Sequence, residues 1–303
     1  MKIEKIGSRG TLFTFEEHES LLGEYSIYLI AGTNRLYLCD THLGPKSMEP
    51  IMEYIQAQGL DKPLVIFLSH SDWDHIWGVS AFENPLVVAH VFCARNVVQR
   101  GPLELQRYAS YQNGEVSLIN PHLTFDSKIL FADDGVEFIY APGHTEDSAL
   151  CFDHRDAVIY AGDMVERPQP CIGWHDLEKY IDSLEYISEQ RSRVIVSSHS
   201  GIVTPEDIED NLDYLRQCQE IVEEQNSGAV EDKDREYLRK LYTLLLYEDA
   251  IANTVGNDFD YASFQRQLWQ SLDMDYLTNI VALLRNVEHE ELQLALEAIM
   301  AGL

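Results

Sequence analysis

Short apolar runs alternate with polar turns over about the first two hundred residues, and each run has the length of a β-strand. The predicted strands are Tyr25–Ile30, Leu36–Cys39, Leu64–Leu68, Leu86–Ala89, Lys128–Phe131, Val136–Tyr140, Ala149–Phe152, Val158–Ala161 and Val194–Ser197. The run LVIFL at Leu64–Leu68 is apolar throughout, which is typical of a strand buried on both faces. Helices are predicted over Ser47–Gln58, ending before Gly59, and over Ile76–Phe82, directly after His75.

The pattern changes near Thr204, because strand signals stop and apolar residues recur at helical spacing to the end of the chain. The apolar positions of two such helical faces are Ile208, Leu212, Leu215 and Ile221, then Leu238, Leu241, Leu244 and Leu245. The polar stretch Glu223–Arg235 lies between them as a candidate linker, and Asn257–Leu303 predicts two or three further helices. We therefore expect an α/β core of layered sheets followed by a helical appendage.

The charge of the chain excludes one class of partner. The 303 residues include 51 acidic and 22 basic side chains, a net charge of −29. Such a chain repels phosphate backbones, so we expect no nucleic-acid partner. The N-terminal MKIEKIGSRG lacks the apolar core of a secretory signal, and no run approaches the roughly 20 apolar residues of a membrane span. We expect a cytoplasmic protein without a membrane contact.

The cysteines are scattered and odd in number, and no CxxC pair occurs. They are Cys39, Cys93, Cys151, Cys171 and Cys218. A thiolate zinc site is therefore not indicated, and the cysteines are interpreted as buried thiols in a reducing compartment. Any metal would be bound through His and Asp.

The most informative segment is Ser69–His75, which reads SHSDWDH and follows the LVIFL strand. Within six residues it holds four potential metal ligands, His70, Asp72, Asp74 and His75. On a continuing strand His75 would point away from the other three, whereas a tight loop lets all four turn inward. A lone His or Asp means little, but four of them after a buried strand indicate a metal site.

Three later strands end in the same manner. His144 lies in a PGHT turn after VEFIY, Asp163 follows AG after VIYA, and His199 lies in SHSG after VIVS. Each ligand type stands just past the C-terminal end of a strand, where α/β folds usually build their sites. Neighbouring glycines permit close approach of the backbone.

Together these elements resemble the metallo-β-lactamase superfamily over about residues 20 to 215. The family motif is His-x-His-x-Asp-His, then a His in a GHT-type turn, an Asp and a final His. Here the three separations from His75 onward are 69, 19 and 36 residues, and an early strand ends in the typical Asp-Thr, at Asp40-Thr41. The resemblance implies a four-layer αβ/βα sandwich with metals at one edge of the sheets, formed by a catalytic domain over residues 1–222. Residues 223–303 would form the helical C-terminal region, through which the chain could form a homo-oligomer.

The resemblance also implies two divalent metal ions. The ligands of the first ion would be His70, Asp72 and His144. Those of the second would be Asp74, His75 and His199, with Asp163 between both. A hydroxide held between the ions would attack an electrophile, with catalytic roles for Asp74 and Asp163. Asp40 would orient a histidine from behind, unless it is an ordinary turn residue.

Asp72 departs from the family pattern, since most hydrolases of the family have His at this position. If Asp72 is a solvated loop residue, the first site lacks a ligand. If it binds, the additional carboxylate makes iron or manganese plausible beside zinc, the expected metal. A carboxylate here also resembles the flavodiiron branch of the family, which reduces oxygen and usually has Glu.

Other candidates are weaker. His42 replaces the Gly of the usual Asp-Thr-Gly and is interpreted as a partly exposed loop residue or as a proton carrier or substrate contact. His175 lies where family members often place substrate-pocket residues. Trp73 and Trp77 would wall the cleft or, more simply, pack in the core, and the Tyr-rich stretch 108–114 is a possible substrate loop.

The leading hypothesis for function is hydrolysis of a small molecule containing an ester, thioester, lactone, amide or phosphodiester bond. A diiron redox protein, oxygen-reducing or sulfur-oxidising, is the alternative, with Asp72 as its local support. The helical, acidic C-terminal region has no glycine-rich phosphate loop of the kind that a flavin domain would bring. A third hypothesis is a binding protein that retained only the fold, but the complete ligand set argues against it.

Overall fold

Two β-sheets carry the fold. The computed structural model describes residues 1–16 and 24–224. The strands in these ranges are β1 Lys2–Ile6, β2 Gly10–Glu16, β3 Glu24–Ala31, β4 Leu36–Cys39, β5 Leu64–Leu68, β6 Leu86–His90, β7 Leu123–Phe125, β8 Lys128–Phe131, β9 Val136–Tyr140, β10 Ala149–Asp153, β11 Val158–Tyr160, β12 Val194–Ser197 and β13 Gly201–Val203. The α-helices are α1 Glu49–Ala57, α2 Trp73–Ile76, α3 Val91–Gln99, α4 Gly101–Arg107, α5 Leu177–Glu189 and α6 Pro205–Glu224. Short 3₁₀ helices cover Pro45–Met48, Trp77–Ala81 and Ala109–Tyr111.

The first sheet contains β1 to β7 in chain order, and the second has the order β13-β12-β11-β10-β9-β8. Strands β4, β5, β6 and β7 pair in parallel, as do β11 and β12, while the remaining pairs are antiparallel. Because β4 and β5 are parallel, the loops after them leave the first sheet at the same edge. The loops after β11 and β12 share an edge of the second sheet for the same reason.

The main core lies between the two sheets. Tyr37 and Phe67 from the first sheet and Phe138 and Tyr160 from the second are fully buried in one cluster. The rings of Phe67 and Phe138 stack across the interface with centroids 4.3 Å apart. Burying one such side chain contributes about 1.5–3 kcal/mol, so this layer is a major source of stability.

The opposite faces of the sheets are covered by helices. Ile66, the neighbour of Phe67 on β5, points to the other side and packs in a second cluster with Ile51 of α1 and Val97 of α3. On the side of the second sheet, α5 buries Tyr180 and Leu184, among others. The molecule is thus an α/β sandwich of the predicted layered type.

The strand predictions match the structure closely, but some elements were missed. Strands β1, β2, β7 and β13 and helices α3 and α4 were not predicted. The helix predicted over Ile76–Phe82 is present as the 3₁₀ helix Trp77–Ala81, but its predicted start after His75 was wrong, because α2 begins at Trp73 and its single turn includes Asp74 and His75. Two of the candidate ligands therefore belong to the first turn of a helix.

The chain divides into two compact units, and both sheets belong to the first, Met1–Leu215. Helix α6 follows the second sheet and buries Ile208, Leu212 and Leu215, as the helical spacing predicted. The predicted linker Glu223–Arg235 begins inside α6, which ends at Glu224, and its remaining residues and the later helices lie outside the described residues. Among the helices that the structure does describe, none combines the length and the apolar character needed to span a bilayer.

Candidate metal centre

Four loops bring the candidate ligands to one place. The loop after β5 and the first turn of α2 carry four of them, and the loops after β9, β11 and β12 carry one each. The seven side chains are His70, Asp72, Asp74, His75, His144, Asp163 and His199. His75 is fully buried, whereas the side chains of Asp72 and His199 are 27% and 17% exposed. The cluster therefore has a buried floor and an accessible mouth.

The seven side chains form two groups that share one oxygen atom. In the first group, Nε2 of His70 lies 3.6 Å and Nε2 of His144 lies 3.5 Å from Oδ2 of Asp72. The same two nitrogens lie 3.7 and 3.8 Å from Oδ2 of Asp163.

In the second group, Nε2 of His75 lies 3.6 Å and Nε2 of His199 lies 3.2 Å from Oδ2 of Asp74. These nitrogens lie 3.1 and 3.4 Å from Oδ2 of Asp163. Asp163 therefore stands between two sets of three side chains.

These spacings fit bound cations. Four ligand atoms placed tetrahedrally about 2.1 Å from an ion lie about 3.4 Å from one another. In addition, Nε2 of His70, Nε2 of His144 and Oδ1 of Asp163 are buried without a hydrogen-bond partner. Unpaired buried polar atoms are costly, and a divalent cation bound to His and Asp would satisfy them. The residues present thus fit a metal-binding role.

The buried carboxylate of Asp40 fixes two of the imidazoles from behind. Its Oδ2 accepts a hydrogen bond from Nδ1 of His75 at 2.9 Å and one from Oγ of Ser69 at 2.6 Å. Ser69 Oγ in turn lies 2.9 Å from Nδ1 of His70, and the Ser69 amide donates to Oδ1 of Asp40 at 2.6 Å. Occupying the Nδ1 atoms in this way leaves the Nε2 atoms directed into the cluster.

Two buried tyrosines also form hydrogen bonds behind the imidazoles, and the sequence did not identify them as site residues. The Tyr160 hydroxyl donates to Oδ2 of Asp40 at 2.9 Å. The Tyr25 hydroxyl donates to the carbonyl of Thr41 at 2.8 Å and lies 3.2 Å from Nδ1 of His75. The sequence did contain one signal for them, a tyrosine within an otherwise apolar strand, because a buried hydroxyl needs a hydrogen-bond partner. The sequence alone does not identify that partner.

His144 is oriented by the backbone of a different segment. Its Nδ1 donates to the carbonyl of Cys171 at 3.0 Å, and the amide of Gly173 donates to the carbonyl of His144 at 2.9 Å. Cys171 is exposed, so the expectation that all five cysteines are buried was wrong for this residue, although the other four are buried. The loop before α5 thus serves as a support for His144 through its main chain.

A glycine is required beside Asp163. Gly162 has φ of +56°, and a Cβ at this position would lie 2.7 Å from Oγ and 2.9 Å from Cβ of Ser69. Any other residue would be strained and would displace Ser69 from His70. The close packing of the β11 loop on the β5 loop therefore depends on this position.

Charge coupling within the cluster is strong. Burial tends to raise the pKa of Asp163, but the neighbouring His75 and His199 hold it well below the usual range. Burial likewise opposes protonation of His75, His144 and His199, yet the surrounding carboxylates raise the pKa of each imidazole well above its usual value. In the metal-free protein these imidazoles therefore balance the carboxylates with protons, which metal binding would release.

Asp72 lies within the cluster. Its contacts with His144 and His70 outweigh the effect of burial and hold the pKa of its carboxyl well below the usual value. Its position between two Nε2 atoms differs from that of a solvated loop aspartate.

The weaker candidates take different positions. His42 is buried rather than partly exposed, and its ring stacks on Tyr25 with centroids 4.5 Å apart. His175 is half-buried beside Trp174, two residues before α5. Trp77 is fully buried in the core, whereas the half-buried Trp73 stacks on Tyr108 with centroids 4.6 Å apart.

A two-sheet α/β sandwich with a His and Asp cluster at the edge of its sheets defines a class of proteins built to hold metal ions. Residues 22–199 match the family model described as the metallo-beta-lactamase superfamily. The match covers more than half of the chain, and the protein belongs to this superfamily. A search of curated protein sequences gives no significant match.

Solved structures show the same fold. A metallo-beta-lactamase from Hirschia baltica is 18% identical, with a TM-score of 0.56 over 71% of this chain and 96% of that one. A metallo-beta-lactamase from Pontibacter korlensis is 19% identical, with a TM-score of 0.57 over 71% of this chain and 98% of that one. FIM-1 from Pseudomonas aeruginosa, solved in its mono-zinc form, is 15% identical, with a TM-score of 0.57 over 71% and 95%. At these identities the likeness concerns the fold.

Proposed function

We propose that the protein is a metal-dependent hydrolase of small molecules that holds two divalent cations between its seven clustered side chains. The bond cleaved would be an ester, thioester, lactone, amide or phosphodiester bond. The observation that carries the proposal is the position of Asp163, whose Oδ2 lies 3.1 to 3.8 Å from four imidazole nitrogens in two groups. One carboxylate shared by two groups of imidazoles is well placed to contact two cations at once.

The first cation would be held by His70, Asp72 and His144, and the second by Asp74, His75 and His199. Asp163 would contact both. When bound, such cations lower the pKa of a water molecule enough to supply a nucleophile at neutral pH. The residues of this chain bind and orient: Asp40 fixes His75 and, through Ser69, His70, while the loop before α5 fixes His144.

The domain assignment is part of the same proposal. Residues 1–222 would form the catalytic domain, with the site at the edge of both sheets. Residues 223–303 would form a C-terminal region through which copies of the chain associate; nearly all of this region lies outside the described residues.

The redox alternative is favoured by one observation, the carboxylate of Asp72 at 3.6 and 3.5 Å from Nε2 of His70 and of His144. A carboxylate in place of imidazole adds a negative charge and a hard oxygen donor, which favours iron or manganese relative to zinc. A diiron protein that reduces oxygen or oxidises a sulfur compound would use the same cluster.

Asp72→His should separate the two functions. In a hydrolase, the less anionic site lowers the pKa of bound water further, so we expect metal content to shift towards zinc and hydrolysis to increase. The measurement is elemental analysis after growth with equal zinc and iron, together with hydrolysis of p-nitrophenyl acetate, a thioester, a lactone and bis(p-nitrophenyl) phosphate. Oxygen consumption with a thiol is measured in parallel.

The control is Asp61→His, which adds a histidine at an exposed position near the N-terminal end of β5. It should leave metal preference and activity unchanged. If Asp72→His behaves like this control, Asp72 is not a ligand and the redox alternative loses its support. If the wild-type protein consumes oxygen but cleaves none of the four substrates, and Asp72→His abolishes that consumption, the protein is a redox enzyme instead.

A further inference from the structure

The segment that carries the shared carboxylate contains neither helix nor strand. It comprises residues 163–167, between β11 and α5, and is called the Asp163 segment below. Met164 and Val165 within it are buried, so its backbone amides and carbonyls need hydrogen-bond partners inside the protein. The structure supplies these partners as side chains from other elements.

One of these side chains pairs with both backbone groups of Glu166. The amide oxygen of Asn211, on α6, accepts a hydrogen bond from the Glu166 amide at 2.9 Å, and the Asn211 side-chain nitrogen donates to the Glu166 carbonyl at 2.7 Å. Two residues paired across antiparallel strands exchange hydrogen bonds in the same manner, so Asn211 takes the place of a neighbouring strand. Asn211 is 1% exposed, which shields the pairing from water.

Asn211 lies in an otherwise apolar face of α6. The other buried side chains of this face are Ile208, Leu212, Leu215 and Cys218, which recur at helical spacing. A buried amide group costs free energy unless its donor and acceptor are paired. A single paired polar residue in an apolar helix face therefore specifies the register of that helix against its neighbour, as a buried Asn does in coiled coils. Here the neighbour is the Asp163 segment.

The two ends of the Asp163 segment are also held. The Tyr180 hydroxyl, on α5, lies 3.3 Å from the carbonyl of Asp163 and 3.2 Å from that of Met164. At the other end, the Arg167 amide donates to Oγ of Ser200 at 2.9 Å, in the loop after β12. The Asn211 pairing lies between these contacts and is the one that fixes a donor and an acceptor of the same residue.

The position of Asp163 has little tolerance. Its Oδ2 lies 3.1 to 3.8 Å from four Nε2 atoms, which come from loops of both sheets. Metal ligands must be held within about 0.5 Å of the binding geometry. Before Asp163 the chain is fixed by the close contact of Gly162 with Ser69, and after it the chain is fixed by the pairing of Glu166 with Asn211.

We propose that Asn211 is a positioning residue of the metal centre. By holding the backbone of Glu166, three residues after Asp163, it keeps the shared carboxylate between the two groups of ligands. The inference rests on the proposed binuclear function and makes α6 a part of the metal centre. Because Asp163 would contact both cations, loss of the pairing weakens the binding of both, whereas loss of a contact behind one imidazole weakens one.

Asn211→Leu tests the proposal, since it keeps the size of the side chain and removes both hydrogen bonds. Zinc is titrated into the full-length, metal-free protein in competition with a chelator, and both stepwise dissociation constants should rise by about 10-fold. The visible absorption spectrum of the cobalt-loaded protein should also change, because it reports the arrangement of the donor atoms. Stability is followed by urea unfolding of the metal-free protein.

The matched control is Leu215→Ala, which truncates another buried side chain of the same face of α6. It should destabilise the fold but leave both zinc dissociation constants and the cobalt spectrum at their wild-type values. An equal rise of the constants in Leu215→Ala would overturn the proposal, because packing of α6 rather than the Asn211 hydrogen bonds would then hold the site.

Asn211→Asp keeps the shape of the side chain and decides the matter even where Asn211→Leu does not fold. It retains the acceptor for the Glu166 amide but places an acceptor against the Glu166 carbonyl. Its added negative charge alone would strengthen the binding of a cation, so a rise of both constants is due to the lost hydrogen bond. Unchanged or lower constants would overturn the role of Asn211 and leave the hydrolase proposal intact. A wild type that binds fewer than two zinc ions would overturn the binuclear proposal itself.

Discussion

Asp163→Ala should lower turnover at least about 100-fold, because the cleft loses the carboxylate that both groups of ligands share. Its Oδ2 lies 3.1 Å from Nε2 of His75 and 3.4 Å from Nε2 of His199 in the second group. Removal leaves each group with three side chains and no connection between them. Metal content should therefore fall together with activity. The measurement is kcat on the best ester substrate beside elemental analysis of the same sample.

The control for this variant is Asp182→Ala, which removes an exposed carboxylate from α5 and should change neither quantity. The turnover and metal content of Asp163→Asn should lie between those of Asp163→Ala and Asp182→Ala, because the amide keeps one oxygen but loses the charge. If Asp163→Ala retains wild-type activity while its metal content falls, the measured activity does not come from this cluster.

Asp40→Asn should weaken metal binding about 10- to 100-fold although Asp40 belongs to neither group of ligands. Its Oδ2 accepts hydrogen bonds from His75, Ser69 and Tyr160, and an amide cannot accept all of them. The backbone at Asp40 has φ of 62°, a conformation that Asn also tolerates, so the substitution does not strain the chain. The free energy of unfolding should fall by about 1–3 kcal/mol, because buried donors lose their acceptor.

A buried carboxylate at the opposite end of β4 provides the matched control. Asp134 is fully buried and accepts hydrogen bonds from the amides of Thr33 and Asn34 and from the Tyr37 hydroxyl. Asp134→Asn should destabilise the fold to a similar extent but leave zinc affinity unchanged. Zinc affinity is measured by competition with a chelator and stability by urea unfolding of the metal-free protein. Equal zinc affinity in the two variants would show that Asp40 does not orient the ligands.

Local patterns were sufficient to predict most of the strands and to mark the polar motifs that follow them. Runs such as LVIFL at Leu64–Leu68 define a buried strand by themselves, and a polar motif directly after it must lie at the edge of the sheet. That the four strand ends meet was implied by the resemblance to the metallo-β-lactamase superfamily, because β5 lies in the first sheet whereas β9, β11 and β12 lie in the second.

The elements that were missed lack a local signal of this kind. Strands β7 and β13 have three residues each, which is too short to show a period. Strand β1 reads KIEKI and is mostly exposed, so it depends on pairing with β2 rather than on its own burial. Such strands form because their neighbours offer a hydrogen-bonding edge.

The support of the site was unpredictable for a related reason. Tyr160 and Asp40 are separated by 120 residues in the chain, and His144 and Cys171 by 27. These pairs depend on how the second sheet packs on the first and on the path of the loop before α5. A single sequence contains no local pattern that encodes either relation. The candidate ligands can be identified from a motif, whereas the residues that position them required the structure.

The central claim is that these seven side chains hold two metal ions. The most direct measurement is a crystal structure of the purified protein with anomalous data collected at the zinc and iron edges. We expect two anomalous peaks about 3.5–4 Å apart, with Asp163 contacting both and Asp72 contacting the one beside His70 and His144. A structure in which Asp163 faces solvent, or in which His144 and His199 lie on opposite sides of the domain, would contradict the account.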